Sequence, residues 1–444
     1  MKKNLLIPLA IVLVSALIFG GCGKPAEEAP EEIRFGDSAC LTGMFSGFAR
    51  GGTFGFNTAI EDINSLGGVY VEEYGKKLPV TLISYDNESD PIKGATLAED
   101  LILSEDIHML VQCIGPQTIT ATISPIADRY EIPYVGLAGP MEPFKTMRAT
   151  VTPSWPYSWC IAFSIATPYP PGSFWDKPGM TMADMALEWL KVIAPHTNLR
   201  AGAFATDDPN GRGWFALFPG ILEDAGYTVS GREEELGLFP FGTTDFSAMI
   251  GEWIDDDCDV IIGNAPGVDC GVLLRQCRER GFKPKAVWAG QGAIFYENII
   301  AWGGDIPNGV CTDRWWYPTF DPNVCVGIAG RTPQSLADYW DEKTGEPLNP
   351  GIGLGYAMAQ VMFDSVERAG TLDGPTVNRA IGETDLPTML YHFRFDDEQF
   401  AGYPMFLAQW QKTDEPWIWE CPIVFTPQPH MGEPVELQFP IPYD

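Results

Sequence analysis

Histidine is scarce in this chain: four residues in 444, scattered at positions 108, 196, 392 and 430. No CxxC, HxxxH or HExxH spacing occurs, which argues against a structural zinc site. Basic residues are also in deficit, 28 Lys and Arg against 59 Asp and Glu, for a formal net charge of −31. Such a surface repels phosphate backbones and anionic headgroups, so nucleic acid is not an expected partner. No GxSxG occurs, and no histidine stands beside a serine or cysteine at a predicted strand end, so an activated nucleophile has no visible base. No GxGxxG or GxxxxGK[ST] follows a predicted strand, so nucleotide binding lacks its glycines. After the first 21 residues no apolar run approaches the ~20 residues of a bilayer crossing. No enzyme, metal or cofactor is expected; what remains is binding.

The first 32 residues carry the strongest local signal. Lys2 and Lys3 precede an apolar run from Leu5 to Phe19, then come Gly20, Gly21 and Cys22, then a polar stretch from Gly23 to Glu32. A positive start, a short apolar segment and small residues before a cut describe an export signal. A cysteine directly after the small pair reads as a lipobox, with Cys22 lipidated and first in the mature chain. The expected division is a signal at 1–21, an acidic tether at 22–32 and a globular body beyond. That body, about 420 residues, exceeds one hydrophobic core and suits two lobes. Hydrophobic residues at 45% and aromatics at 12% supply the core.

Nine cysteines remain in the body, an odd number that leaves at least one free thiol. Cys270 and Cys277 are about 10 Å apart along a predicted helix and cannot bridge. Cys311 and Cys325 flank a short loop and are the favoured pair.

Apolar strands alternate with amphipathic helices along the body. Strands are expected at Ile33–Ser38, Val80–Tyr85, His108–Cys113 and Ile132–Leu137, with helices between them. The grammar restarts after Thr150, with strands at Leu199–Ala205, Val260–Gly263 and Ala286–Ala289, and a late helix at Gly355–Ala369. Continuous apolar strands with intervening helices mean parallel sheets covered on both faces, so the fold class is α/β with two doubly wound lobes. Ligands of such sheets sit outside the carboxyl ends of the strands. The qualifying loops are 41–48, 114–118, 138–141, 206–210, 263–269 and 290–292, and two lobes presenting them form a clamp.

Gly115-Pro116-Gln117-Thr118 opens a helix whose free N–H groups favour an anion, and simple capping by Gln117 or Thr118 explains it as well. Asp269, at a helix start, suits an ammonium or serves as an ordinary N-cap. Phe48, Trp155, Trp159, Trp315, Trp316 and Tyr317 are aromatics near predicted strand ends, some to wall a ligand and most to fill the core. Asp255-Asp256-Asp257 reads as a solvated turn.

Taken in order, several short motifs resemble the leucine/isoleucine/valine-binding family, the type I periplasmic solute-binding proteins of ABC importers. They include Leu41-Thr-Gly43, Ala59-Ile-Glu-Asp-Ile-Asn-Ser-Leu-Gly-Gly68, Tyr85-Asp-Asn-Glu-Ser-Asp-Pro91, Asp207-Asp-Pro-Asn-Gly-Arg-Gly213, Leu274-Arg-Gln-Cys-Arg278 and Phe393-Arg-Phe-Asp396. The resemblance covers roughly 33–412. It implies two lobes joined by three crossings, near 150–154, 284–288 and 391–396, so that 33–151 plus 287–392 form one lobe and 152–286 plus 393–444 the other. It further implies a monomeric lipoprotein outside the cytoplasm that hands a small solute, an amino acid or related carboxylate or amide, to a membrane permease and its ATPase. Carried onto this sequence, the ligand residues would be Phe48, Gly115, Gln117, Thr118, Ala138, Gly139, Asp208, Asn210, Asp269 and Gln291. Met141 and Pro116-Gln117-Thr118 depart from the hydroxyl residues usual in relatives that bind α-amino acids. A ligand sensor with the same lobes, a secreted hydrolase and a ligand-free envelope lipoprotein are the rival readings.

Overall fold

A computed structural model describes residues 28–136, 139–169, 171–174, 176–232, 237–414 and 417–443. The expected signal segment, Cys22 and Ala138 lie outside the described residues. Glu31–Asp444 forms one unit built on two main sheets.

The first sheet is wholly parallel, in the order Phe400–Gly402, Ser158–Ala162, Tyr134–Gly136, Met109–Val111, Ile33–Ala39, Val80–Asp86. The second runs Leu238–Phe239, Arg200–Thr206, Val260–Asn264, Ala286–Trp288, Val310–Arg314, Phe406–Gln409, Ile423–Phe425, with Thr228–Ser230 beside Arg200–Thr206. It is parallel up to Val310–Arg314, and the last two strands turn antiparallel. Met109–Val111, Val260–Asn264 and Ala286–Trp288 are buried along their length, which is why they read as apolar runs rather than as alternation; Val310–Arg314 is equally buried but carries Thr, Asp and Arg.

The chain passes between the sheets three times, after Ala162, after Arg314 and after Gly402. These passages fall later than expected. Ser158–Ala162 adds a fifth consecutive strand to the first sheet instead of leaving it, and Ala286–Trp288 stays on Val260–Ile262 in the second. A crossing segment and a short buried strand look alike in sequence, because both are extended and apolar; only the pairing partner separates them.

Helix ends follow local chemistry. Asp90 caps Pro91–Ser104 by accepting from Ile92 and Lys93 N–H, and Asp208 caps Pro209–Asp224 through Asn210 and Gly211. The segment at 207–211, read as a loop, therefore already enters a helix, with proline at its first position. Helix Ser46–Ser65 packs against Gly351–Ala369 through glycines. A Cβ on Gly55 would stand 1.9 Å from the Ile352 carbonyl oxygen, and one on Gly355 equally close to that of Gly52. Across the same helix pair Tyr356 Oη donates to Asp62 at 2.7 Å, and Arg331, from the segment before Pro333–Thr344, grips the same carboxylate with two 2.6 Å hydrogen bonds.

All nine body cysteines are free and buried, which corrects the favoured Cys311–Cys325 pair. Cys311 lies in the second sheet opposite Gln409, whereas Cys325 Sγ donates to the Leu390 carbonyl at 3.3 Å. A loop short in sequence does not bring its ends together when one end is a sheet strand. No helix among the described residues is long and apolar enough to cross a membrane.

Candidate functional site

The parallel strands of both sheets direct their carboxyl ends toward one cleft, which encloses about 820 Å³, part of it open to solvent. From the first sheet it receives Phe45 and Phe48, then Ile114 to Thr118, then Gly139 and Pro140, then Phe163 and Ile165. From the second it receives Asp208, Asn210 and Trp214, then Phe241, Asn264, Gln291, Ile294, Asp313 and Trp315. Each group ends or follows a strand, as the crevice rule for open parallel sheets requires.

Of the sequence-based candidates, Phe48, Gly115, Gln117, Thr118, Gly139, Asp208, Asn210 and Gln291 line this cleft. Asp269 does not. Its carboxylate turns away to accept the Gly242 N–H at 3.0 Å, and it is buried in the first turn of helix Gly267–Glu279. Burial there pushes its carboxyl above the usual range, partly offset by that hydrogen bond. Asp269 therefore pins the 240–242 segment, and loop 263–269 reaches the cleft only through Asn264. Met141 is likewise in the core. Among the aromatic candidates Phe48 and Trp315 line the cleft. Trp155 and Trp316 are core residues, and Trp159 donates to Asn378 Oδ1 at 2.7 Å.

The walls are mainly apolar, and Phe48, stacked at 6.1 Å on Trp315, bridges the two sides. Within that lining a few polar atoms stand out. Gln117 is 2% exposed, and its Nε2 is buried with no hydrogen-bond partner among the described residues. Asn210 Oδ1 is in the same condition, while its Nδ2 donates to Gln291 Oε1 at 3.4 Å. Gln291 is held in turn by Asn264, whose Oδ1 accepts the Gln291 N–H at 3.1 Å. Asn264, Gln291 and Asn210 thus form one polar ladder on the second-sheet wall. Buried polar atoms are rarely left unpaired in folded proteins, and an orphaned donor and an orphaned acceptor in one cleft mark where a bound molecule would complete them.

Among the described residues no lysine, arginine or histidine lines the cleft, and the ionisable groups there are Asp208 and Asp313. Asp208 is committed to capping, with Thr206 Oγ1 donating to it at 2.7 Å. Asp313 was missed by sequence reasoning. It lies near the end of the strand Val310–Arg314, is 6% exposed, and accepts from Trp288 Nε1 at 3.0 Å. Burial holds its carboxyl above the ordinary range, with the Trp288 bond pulling the other way. The local signal for it is the pattern Thr-Asp-Arg-Trp-Trp at a strand end, in which the two tryptophans are the more conspicuous residues. Ile114 has φ of +66°, a left-handed conformation that costs a β-branched residue energy, and it sits at the bend that turns Gly115–Thr118 into the cleft.

Similarity to known proteins agrees with this fold. Residues 32–415 match the family model described as periplasmic binding protein. Among curated relatives, Leu/Ile/Val-binding protein homolog 7 of Brucella abortus (strain 2308) is 26% identical over 211 residues, 43% of this chain and 52% of the relative. Homolog 8 of the same strain is 23% identical over 198 residues, 41% of this chain and 46% of the relative. The match thus spans about half the length of these curated relatives. Among solved structures, the leucine binding protein LivK of Thermotoga maritima MSB8 superposes with TM-score 0.67 at 19% identity, over 89% of this chain and 99% of that one. LivJ of Streptococcus pneumoniae in complex with isoleucine gives 0.62 at 15% identity, over 88% and 100%. The fold is that of the type I periplasmic binding proteins, and the chain belongs to the periplasmic binding protein family.

Proposed function

We propose that this protein is the extracytoplasmic solute receptor of an ABC importer, binding an amino acid or a closely related small carboxylate or amide between its two sheets. The observation that carries the reading is the pair of orphaned polar atoms, Gln117 Nε2 and Asn210 Oδ1, in an otherwise apolar cleft between two strand-end rims. A solute with a carboxylate or amide oxygen satisfies Gln117, and the N-terminus of helix Gln117–Tyr130 adds its N–H groups and dipole. At the other end, a cationic or donor group meets Asp313. Burial disfavours the charged form of that carboxyl, so an ammonium arriving beside it restores the carboxylate and gains a charge-assisted hydrogen bond. An apolar body fits between Phe48, Phe163 and Trp315. Leucine, isoleucine and valine, which appear in the names of the relatives above, match this description, and so do aromatic amino acids. The lobes are the two sheets with their helices, and closing them on the solute excludes water before delivery to a permease.

The protein acts by binding rather than by turnover, and Cys22 anchors it to a membrane through lipid after the signal is removed. Cys22→Ser should release it into the soluble fraction; retention on membranes would refute the anchor. For the site, thermal shifts of residues 23–444 against branched, polar and aromatic amino acids, short amides and dicarboxylates name the solute. A solute at 100 times its dissociation constant should add about 2.7 kcal/mol of stability. Gln117→Ala and Asp313→Asn should each weaken the solute that shifts the wild type, by about fivefold and about tenfold. Equal affinity in both variants would place the solute elsewhere.

A further inference from the structure

A second cavity lies beside the solute cleft and uses none of its residues. It encloses about 860 Å³, part of it open, and is walled from both sides of the molecule. Trp340 and Leu348 come from helix Pro333–Thr344 and the segment after it; that helix packs against Gly351–Ala369 and so belongs with the first sheet. Trp410 and Arg314 come from strand ends of the second sheet, with Trp419 nearby. The indole N–H groups of Trp340 and Trp410 are already taken up by the carbonyls of Glu346 and Pro347 and of Ala293. What these rings offer the cavity is therefore their faces.

Strand alternation creates the second cavity. Successive residues of a strand point to opposite sides, so Asp313 and Trp315 face the solute cleft while Arg314 between them faces the tryptophans. Arg314 is 2% exposed. Its Nη1 and Nη2 donate to the carbonyls of Cys421 and Ile294, and its guanidinium lies 4.9 Å from the Trp410 ring centre. Its Nε is buried with no acceptor among the described residues, and no carboxylate there takes up its charge. A buried cation without a counter-ion is costly, and an unpaired donor adds to that cost. Asp338, Asp341, Glu346 and Glu420 are carboxylates of the same cavity; Asp338, Asp341 and Glu420 stand exposed on its rim, where water and salt screen them, and half-buried Glu346 is paired with Arg50. The buried guanidinium therefore dominates inside, and the rim disfavours ligands with several negative charges.

We propose that this cavity is a second small-molecule site, for a flat aromatic monocarboxylate whose carboxylate meets Arg314 and whose ring stacks between tryptophans. Because its walls belong to both sheets, occupancy there biases the same lobe closure that the solute drives, and the 313–315 segment links the two sites.

Benzoate is the probe, titrated into the full mature chain with tryptophan fluorescence and calorimetry as readouts, and benzyl alcohol as the uncharged control. Saturable benzoate binding is expected, with benzyl alcohol at least about tenfold weaker. Arg314→Met should weaken benzoate by at least about tenfold as well, and Gln117→Ala, in the solute cleft, should leave it unchanged. Leu348→Trp, at a half-buried rim position, fills the cavity from the opposite side and keeps the test valid if Arg314→Met does not fold. Absence of binding up to about 10 mM benzoate would overturn the proposal. So would benzoate affinity lost in Gln117→Ala but kept in Leu348→Trp, which would place benzoate in the solute cleft.

Discussion

Asp37 lies fully buried in the first sheet beneath the solute-cleft loop, and its replacement by asparagine should flatten the pH dependence of stability. Its Oδ1 accepts the Cys113 N–H at 3.3 Å, Oδ2 has no partner among the described residues, and no cation compensates it. Desolvation raises its carboxyl to about 7, against smaller opposing effects of the Cys113 hydrogen bond and of the neighbouring Thr53 and Ser84 hydroxyls. The unfolded chain titrates the same group near 4. Between those values the native state holds a proton that the unfolded state has lost. Stability from this group is therefore fully present below about pH 4 and disappears as pH rises through about 7. At 1.36 kcal/mol per tenfold, the whole displacement is worth about 4 kcal/mol, and about 2.7 kcal/mol of it falls between pH 5 and pH 8. The amide that replaces the carboxyl in Asp37→Asn keeps the acceptor for Cys113 and the shape, but never ionises. Urea unfolding of wild type and Asp37→Asn at both pH values isolates the group, because every other titration cancels in the difference. The variant should gain about 2.7 kcal/mol relative to wild type on going from pH 5 to pH 8. A wild-type-to-variant difference that is the same at both pH values would refute the argument that Asp37 is buried without compensation.

Gly55→Ala should destabilise the protein by about 2 kcal/mol or more in chemical unfolding, because the new methyl meets the Ile352 carbonyl at 1.9 Å. The roughly 1 kcal/mol that alanine adds to helix propensity works against this and is too small to win; a stabilised variant would mean that the two helices separate freely. Asp62→Ala leaves the Arg331 guanidinium without its bidentate partner and Tyr356 Oη without its acceptor. A cost of about 3 kcal/mol is expected by urea denaturation, and a cost under about 1 kcal/mol would place the pair in solvent. Burial pushes the thiols of Cys160, Cys277 and Cys421 up to about 12. A thiol-reactive dye should therefore label none of the nine body cysteines in the native state and all nine in denaturant; prompt labelling of any one would contradict its burial.

How much of the site could be read in the sequence depended on whether position alone or side-chain direction decided the outcome. Strand ends are legible: an apolar run followed by Gly115-Pro116 or Asp208-Pro209 marks where a strand stops and a helix starts, and parallel sheets place every such stop on one rim. That is why Gln117, Asn210 and Gln291, expected from local pattern and resemblance, line the cleft. Asp269 failed on direction. It stands at a helix start near the rim, as a ligand residue would, but the backbone N–H of Gly242 lies within reach and claims the carboxylate. That contact joins residues 27 apart, and no local pattern encodes it. Asp313 failed for the complementary reason. Its neighbours Arg314, Trp315 and Trp316 describe a strand end equally well whether Asp313 points to the cleft or to the opposite side, and a one-residue slip in register exchanges the two. Pairing of Cys311 with Gln409 fixes that register, and with it the separation of Asp313 and Trp315 from Arg314 into two cavities. The acid that faces the cleft thus stands at a strand end, Asp313, and not at the helix start of Asp269, while both lie near the rim where the sequence places the strand ends.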